Sequence, residues 1–310
     1  MQTALSAALP VFALILIGYI CARRDWLGAH GMDVLNRFVI YLALPALLFL
    51  AMARIEWADL RQGGYVATLA LSIGLTFVAS LMLEPRPRPP LADRAIQALS
   101  ASYANAGFMG IPLCLAVLGP ESLPPAIIAT LMTAGLQFAI VIAVVEIASQ
   151  PSGQAWCAIG HTLGSLARNP LIAAPVLGCA YGALGAPLPT GVARLGELLA
   201  NAASPCALVA IGMFLARPAQ SHERLAVVHA VGLKLLLQPA IAAALAWWVF
   251  DMPPVWAATA LLMMALPTGT GPFMLASMHG RSAATASRVI LISTVLSVVT
   301  ISALVAVIPR

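Results

Sequence analysis

Two stretches of the chain decide its fold, because each places glycines and prolines in the middle of an apolar run. Residues 102–112 read SYANAGFMGIP, and residues 265–273 read ALPTGTGPF. Proline removes a backbone donor and clashes with the preceding helical turn, and glycine costs about 1 kcal/mol relative to alanine inside a helix. Both stretches therefore predict helices that unwind partway along their length.

The composition around these stretches is that of a membrane protein. Of 310 residues, 61% are hydrophobic and 9% are charged, and the mean hydropathy is +0.96. A soluble domain carries about 25% charged residues, so a water-soluble enzyme domain is excluded. The net charge of +5 comes from basic residues scattered through short connections, which indicates membrane topology rather than nucleic-acid binding.

Apolar runs between polar or proline-rich breaks predict ten membrane-spanning helices, the number that fits at about 20 residues each. The predicted ranges are 6–22, 33–53, 63–83, 96–118, 127–149, 170–184, 196–216, 225–250, 255–278 and 283–308. The sequence therefore predicts an all-α polytopic membrane protein. The first run follows an N-terminus without Lys or Arg, so we expect a membrane helix there rather than a cleaved signal peptide.

Basic residues are distributed unevenly between the two sides of these helices. The connections after the odd-numbered helices, with Arg37 just inside helix two, hold eleven arginines, and the opposite side holds four. Short cytoplasmic loops retain positive charge. The count predicts a plasma-membrane protein with both termini on the non-cytoplasmic side.

Prolines and glycines recur at an offset of 160 residues, which predicts an internal repeat. The matched pairs are Pro10 and Pro170, Gly18 and Gly178, Pro45 and Pro205, and Pro112 and Pro272. The predicted units are a first repeat at 1–149, a cytoplasmic linker at 150–169 and a second repeat at 170–310. Five helices per repeat is an odd number, so the repeats are expected to be inverted, with helices four and nine broken where they cross.

The two breaks are the predicted binding site. A helix that starts at a break directs free N–H groups and partial positive charge into the gap, and an anion fits there without a buried Lys or Arg. We expect such groups beyond Pro112 and Pro272. Kinking alone is the alternative reason for these prolines and glycines. The predicted substrate-binding residues are Asn105, Gly110, Ile111, Pro112, Pro267, Thr268, Gly269, Thr270, Pro272 and Asn201.

Asn201 lies in helix seven, near the kink predicted at Pro205, and could instead bond to a carbonyl of its own helix. Three ionisable residues, Lys234, His229 and Glu146, lie toward helix ends, and we expect them to snorkel to the interface. Gln137 and Gln238 are neutral and either line the cavity or bridge helices. No aspartate lies at mid-membrane, so the energy source for transport stays open.

Catalytic and metal motifs are missing from the sequence. The five cysteines are far apart and form no CxxC pair, and no HExxH motif or paired mid-membrane aspartate is present. We therefore predict no catalytic residue, metal or cofactor, and an intramembrane enzyme is disfavoured. A non-transporting receptor is disfavoured too, because the chain has no soluble module for signalling.

Several motifs together resemble the auxin efflux carrier family. They are LPVF at 9–12 with Gly18-Tyr19, YLALPALLF at 41–49, NAGFMGIPL at 105–113, Asn169-Pro170, and the stretch 266–273. This family includes plant PIN-type carriers and bacterial members described as malonate or malate transporters. The similarity covers nearly the whole chain, and the helix-four segment is its most specific part.

The resemblance implies two inverted five-helix repeats, a scaffold of helices one, two, six and seven, a moving bundle around helices four and nine, and a homodimer formed through the scaffold. It also implies that Asn105 holds the substrate carboxylate, because the surrounding motif matches. The long hydrophilic loop of plant carriers is absent here. From the resemblance we expect a secondary transporter of small organic anions such as malonate, malate or auxin-like acids. Its expected partners are the lipid bilayer and a small carboxylate substrate. A sodium-coupled symporter of amphipathic anions is the alternative.

Overall fold

The computed structural model describes residues 2–28, 30–54, 62–83, 88–149, 170–216 and 224–307, and within them the chain forms ten helices, two of which are broken. The helices are α1 (Gln2–Arg23), α2 (31–53), α3 (Gly63–Leu83), α4a (Leu91–Ser102) and α4b (106–118), α5 (Pro120–Ala148), α6 (Pro170–Ala183), α7 (Thr190–Leu215), α8 (Arg224–Val249), α9a (Pro254–Ala265) and α9b (Gly271–Met278), and α10 (Ala284–Val307).

The ten predicted segments and the breaks in helices four and nine are present. By length and composition, α2, α3, α5, α8 and α10 are each long and apolar enough to cross a membrane. Helices α4, α5 and α7 begin five to seven residues earlier than predicted, at Leu91, Pro120 and Thr190. Their first turns contain prolines or charges, which lower the hydropathy but are compatible with a helix N-terminus.

Three prolines are accommodated by wide helical turns rather than by breaks. Each is the second residue after a five-residue π-helical segment, in which the hydrogen bond spans five residues. The extra residue gives room for the proline ring, which an α-helical turn would not. Pro45 follows Val39–Ala43, Pro112 follows Ala106–Gly110, and Pro239 follows Leu233–Leu237. Pro45 thus lies just after a π turn inside a continuous α2, while α7 continues through Pro205, where a kink was predicted, without a π turn.

The chain divides into two compact units. Unit 1 comprises Met1–Pro10, Trp57–Gln137 and Gln220–Arg310, and unit 2 comprises Val11–Glu56 and Phe138–Ala219. Unit 1 thus contains α3, α4, most of α5 and α8 to α10, including both broken helices. Unit 2 contains most of α1, all of α2, the end of α5, and α6 and α7.

Unit 2 is held together by close helix packing at glycines. A Cβ atom at Gly18 of α1 would collide with the backbone of Val209 on α7, and one at Gly212 of α7 would collide with the backbone of Ile15. Gly178 of α6 lies against the backbone of Phe49 on α2 in the same way. In membranes, small residues allow such backbone contact, which maximises van der Waals packing.

Unit 1 surrounds α9a, in which every residue from Ala257 to Ala265 is buried. The Tyr65 ring of α3 packs edge-on against Trp256, with ring centroids 5.1 Å apart at 87°. The Tyr65 hydroxyl donates to the carbonyl oxygen of Pro125 on α5 at 2.8 Å. These contacts hold α3 and α5 against α9a, the first half of the second broken helix.

Candidate functional site

The two unwound segments of unit 1 cross and pair with each other. The backbone N–H of Asn105 donates to the Pro267 carbonyl at 2.9 Å, and the backbone N–H of Gly269 donates to the Tyr103 carbonyl at 3.0 Å. The side chain of Asn105 takes no part in this pairing. These bonds form an antiparallel bridge between Ala104 and Thr268. Buried backbone groups must find a partner inside the protein, and at the crossing each broken helix supplies partners for the other.

The C-terminal end of α4a is capped by neutral side chains. The Gln238 amide donates to the Ser102 carbonyl at 2.8 Å, and the Thr268 hydroxyl donates to the Ser100 carbonyl at 2.8 Å. The Gln137 amide donates to the Ser102 hydroxyl at 2.8 Å. The last four carbonyls of a helix have no partner within it, so these donors satisfy groups that the break leaves open. Gln137 and Gln238 therefore bridge helices, one of the two roles that the sequence allowed.

The C-terminal end of α9a is capped by a lysine. The Lys234 Nζ donates to the Met264 carbonyl at 2.8 Å, and the Lys234 side chain is 0% exposed. The prediction that Lys234 snorkels to the interface is therefore wrong. It lies ten residues into α8, about 15 Å from the start of that helix, and the partial negative charge at the end of α9a favours a cation there. Its spacing of four residues from Gln238 was the sequence signal, because residues so spaced lie on neighbouring positions of a helix.

The second halves of both broken helices begin at the crossing. Helix α9b begins at Gly271 with Pro272 in its first turn. Helix α4b begins at Ala106, so the expectation of free N–H groups beyond Pro112 is wrong. The reason is the π segment Ala106–Gly110, which restarts the helix six residues before the proline. Gly110, Ile111 and Pro112 thus lie at least one turn inside α4b.

Asn105 and Thr270 occupy equivalent places, as the N-cap residues of α4b and α9b. Each residue is 5% exposed, and neither side chain caps its own helix. Within the described part of the chain, no hydrogen bond reaches the Asn105 amide or the Thr270 hydroxyl. A buried polar group without a partner is costly. The two N-caps are therefore the donors at the crossing that a ligand could satisfy, whereas the unpartnered Gln137 Oε1 and Gln238 Oε1 are acceptors.

The other predicted site residues at the crossing have packing or backbone roles. A Cβ atom at Gly110 would lie 2.6 Å from the Met263 sulfur, and one at Gly269 would lie 2.9 Å from the Tyr103 ring. These glycines allow the close approach of the two broken helices. The Thr268 hydroxyl is already donated, and the Thr268 amide donates to the Ser293 hydroxyl at 3.1 Å.

Asn201 belongs to a different part of the molecule from the other predicted site residues. It is exposed on α7 in unit 2, whereas the others lie in unit 1. In the described ranges, no three His, Cys, Asp or Glu side chains lie close enough to hold a metal ion.

Comparison with known proteins identifies the family. A family model described as "Membrane transport protein" matches residues 3–305. A protein of Rhizobium meliloti (strain 1021) named "Putative malonate transporter" is 32% identical over 300 residues, which cover 96% of this chain and 93% of that protein. An uncharacterized transporter of Methanothermobacter thermautotrophicus is 26% identical over 299 residues, 94% of each chain. The uncharacterized transporter YfdV of Escherichia coli K12 is 27% identical over 239 residues, 74% of each chain.

The match extends over almost the whole chain, including both broken helices and the helices that cap them. The matched family consists of membrane transporters and not of enzymes. The chain is therefore a multi-pass membrane protein that belongs to the membrane transport protein family, the auxin efflux carrier family that its motifs resemble.

Proposed function

We propose that this transporter carries small carboxylate anions, with malonate as the first candidate, and that it binds them at the crossing in unit 1. The observation that carries the proposal is the pair of buried N-caps, Asn105 and Thr270, whose side chains leave the first turns of α4b and α9b uncapped. Helix N-termini bind anions through backbone N–H groups and the helix dipole.

Two helix starts meet at one site, which suits a substrate with two carboxylates. One carboxylate would accept bonds from the Asn105 side-chain amide and the Gly107 N–H of α4b, and the other from the Thr270 hydroxyl and the Gly271 N–H of α9b. The Thr268 hydroxyl is donated to Ser100, so Thr268 supports the crossing rather than donating to the substrate. The buried Lys234 amine at the end of α9a lies within the same unit, and an anion bound nearby would favour its protonated form.

The relative named a malonate transporter supports the choice of malonate as the first probe. The small and polar residues Thr268, Gly269 and Thr270 are also compatible with a small anion rather than a large amphipathic one. We retain malate and auxin-like acids as further candidates within the same class of carboxylates.

We also propose the larger architecture that the sequence predicts. The 160-residue offset and the five helices on each side of it support two inverted repeats at 1–149 and 170–310, joined by a cytoplasmic linker. The separation of α2, α6 and α7 from both broken helices supports a scaffold and a moving bundle that alternates access to the site. The arginine distribution supports a plasma-membrane orientation with both termini outside the cytoplasm, and the family resemblance supports a homodimer.

The test is uptake of radiolabelled malonate into proteoliposomes, with and without sodium. We expect Asn105→Ala to be folded but to lose at least about tenfold in uptake, since hydrogen bonds to a charged group are worth about 1.5–3 kcal/mol. Asn36→Ala is the matched control, because Asn36 is also 5% exposed but lies in unit 2. Normal uptake by Asn105→Ala would reject the crossing as the substrate site.

Asn201→Ala tests the one predicted ligand outside unit 1. Asn201 is exposed on α7 in unit 2. We expect its side chain to contact the substrate, if at all, during only part of the transport cycle. We expect uptake to fall less than in Asn105→Ala, and uptake equal to that of Asn36→Ala would remove Asn201 from the site.

A further inference from the structure

A polar groove runs along one face of α4a, within unit 1. Its volume is about 350 Å³. Asp93, Gln97 and Ser100 line it from α4a, at spacings of four and three residues that place them on one helix face. Arg281 and Thr285 line it from the other side, in the connection to α10 and in α10 itself. We call this cavity the α4a groove.

The outer end of the α4a groove holds an ion pair. The Arg281 Nη1 lies 2.9 Å from the Asp93 Oδ1, and the two side chains are 23% and 31% exposed. Ion pairs with this much exposure are weak, because solvent screens them. A carboxylate from solution could therefore compete with Asp93 for the guanidinium, whose planar fork matches carboxylate geometry.

The inner end of the α4a groove reaches the crossing. Ser100 lies seven residues beyond Asp93, about 10 Å along the helix. The Ser100 carbonyl accepts the hydrogen bond from the Thr268 hydroxyl, and Thr268 is part of the bridge between the broken helices. Polar side chains inside a membrane domain mark water-filled pathways for substrates and ions. The groove thus ends at a residue that is hydrogen-bonded to the crossing.

We propose that the α4a groove is a second binding site for small carboxylates, in which the ligand replaces Asp93 on the Arg281 guanidinium on its way to or from the crossing. The amide of Gln97 lines the same space and supplies a polar contact for the second carboxylate. A cavity of this size is at the small end of ligand sites and suits a dicarboxylate of a few carbons. The proposal rests on the proposed function for its ligand class, but not on Asn105.

The alternative role of the ion pair is structural, as a tie between the α9–α10 connection and α4a. The two roles predict different signs. If the ion pair has only a structural role, Asp93→Asn and Arg281→Gln both break it. Both substitutions then change carboxylate binding in the same direction. If Asp93 competes with the ligand, Asp93→Asn strengthens carboxylate binding and Arg281→Gln weakens it.

The experiment measures protection of a cysteine at the groove by malonate. Ser282 is exposed and lines the groove, so Ser282→Cys is labelled with a maleimide in the purified protein, and mass spectrometry reads each cysteine separately. The native cysteines serve as internal references. The assay is run in the Asn105→Ala background as well, so that loss of the crossing site does not remove the signal from the groove.

We expect malonate to protect Cys at 282 in both backgrounds. Arg281→Gln is expected to raise the half-protecting malonate concentration at least about tenfold, and Asp93→Asn is expected to lower it about threefold. Arg94→Gln is the matched control, because Arg94 lies beside Asp93 but donates to the Leu81 carbonyl on α3. It is expected to leave the protection unchanged.

Three results would overturn the proposal: no protection by malonate in either background, protection that survives Arg281→Gln, or a shift of the same sign in Asp93→Asn and Arg281→Gln. Failure of the proposed function is a separate result, read from the uptake of Asn105→Ala. Protection at the groove with normal uptake by that variant would reject the crossing and retain the groove.

Discussion

The C-terminal ends of the two half-helices at the crossing are capped by different chemistry. The end of α4a receives neutral donors, the Gln238 amide and the Thr268 hydroxyl, whereas the end of α9a receives the Lys234 amine. Lys234 and Gln238 both come from α8. The 160-residue offset pairs these two positions with Gly74 and Val78 of α3, which have no donor side chain. The predicted repeats therefore differ in chemistry at the place where they meet.

This difference suggests that the two ends have different tasks. Hydrogen bonds from neutral groups are sufficient to satisfy the open carbonyls of a broken helix. A lysine adds charge, which acts over a longer distance than a hydrogen bond. We therefore expect changes at α4a to affect mainly stability, and changes at Lys234 to affect mainly anion transport.

The largest expected effect comes from making the two ends alike. Lys234→Gln replaces the amine with a neutral amide of the kind that caps α4a. A loss of about 1.4 kcal/mol in anion binding corresponds to a tenfold lower affinity, and loss of the protonated amine is expected to cost at least that much. We therefore expect malonate uptake into proteoliposomes to fall at least about tenfold, while thermal unfolding in detergent changes little.

Lys234→Met removes both the amine charge and the donor to the Met264 carbonyl, whereas Lys234→Gln removes the charge and keeps a donor. Comparing the two variants separates the effect of the charge from that of the cap. We expect uptake to fall by at least as much as in Lys234→Gln. Uptake within twofold of wild type in both variants would show that the charge at α9a has no part in transport, and the comparison between the two ends would lose its functional meaning.

A smaller effect is expected from Gln238→Leu, which removes a neutral cap from α4a. The Ser102 carbonyl would then be buried without that donor, at a cost of about 1–3 kcal/mol. Part of this cost is offset because the buried Gln238 Oε1, which has no partner in the described structure, is removed too. We expect a net loss of about 1 kcal/mol in unfolding free energy.

Gln137→Leu is the matched control for that variant. Gln137 donates to the Ser102 hydroxyl and not to the terminal carbonyl, so the loss is expected to be smaller. An equal or larger loss in Gln137→Leu would mean that capping of the carbonyl is not what makes Gln238 important.

The smallest effect is expected from Thr268→Val, which keeps the shape of the side chain and removes one hydroxyl bond to α4a. We expect a loss of about 0.5 kcal/mol in unfolding free energy, the lower end of what a hydrogen bond contributes. Thr259→Val is the control, because the Thr259 hydroxyl donates to the Val255 carbonyl within the intact helix α9a. If both variants lose the same stability, the hydroxyl of Thr268 has no special role at the break.

Much of the fold follows from the sequence because hydropathy and helix breakers are local properties. Every predicted helix is present, and the breaks in helices four and nine lie within the two stretches that proline and glycine mark. Asn105 and Thr270 were both predicted as site residues, and the structure places them at equivalent N-caps. Their role in binding stays a prediction.

The features that could not be predicted from the sequence depend on side-chain direction and on local backbone geometry. The hydropathy around Lys234 is the same whether its side chain points toward the interface or into the unit, and only its spacing from Gln238 indicates a shared face, so its cap on Met264 was missed. The start of α4b was missed because Pro112 was taken as the start of the second half. The π segment before that proline restarts the helix earlier, and a π segment has no hydropathy signature.

The π segment Leu233–Leu237 of α8 sets the angle around the helix axis between Lys234 and Gln238, which cap the ends of α9a and α4a. An α-helix turns about 100° per residue, so one extra residue rotates everything after it by about that angle. Lys234 lies inside this segment and Gln238 follows it, which lets one helix reach two different helix ends. Deleting a single leucine there would leave the hydropathy of α8 almost unchanged and still rotate Gln238 away from Ser102. The spacing of residues in α8, as well as their identity, is therefore part of what holds the crossing together.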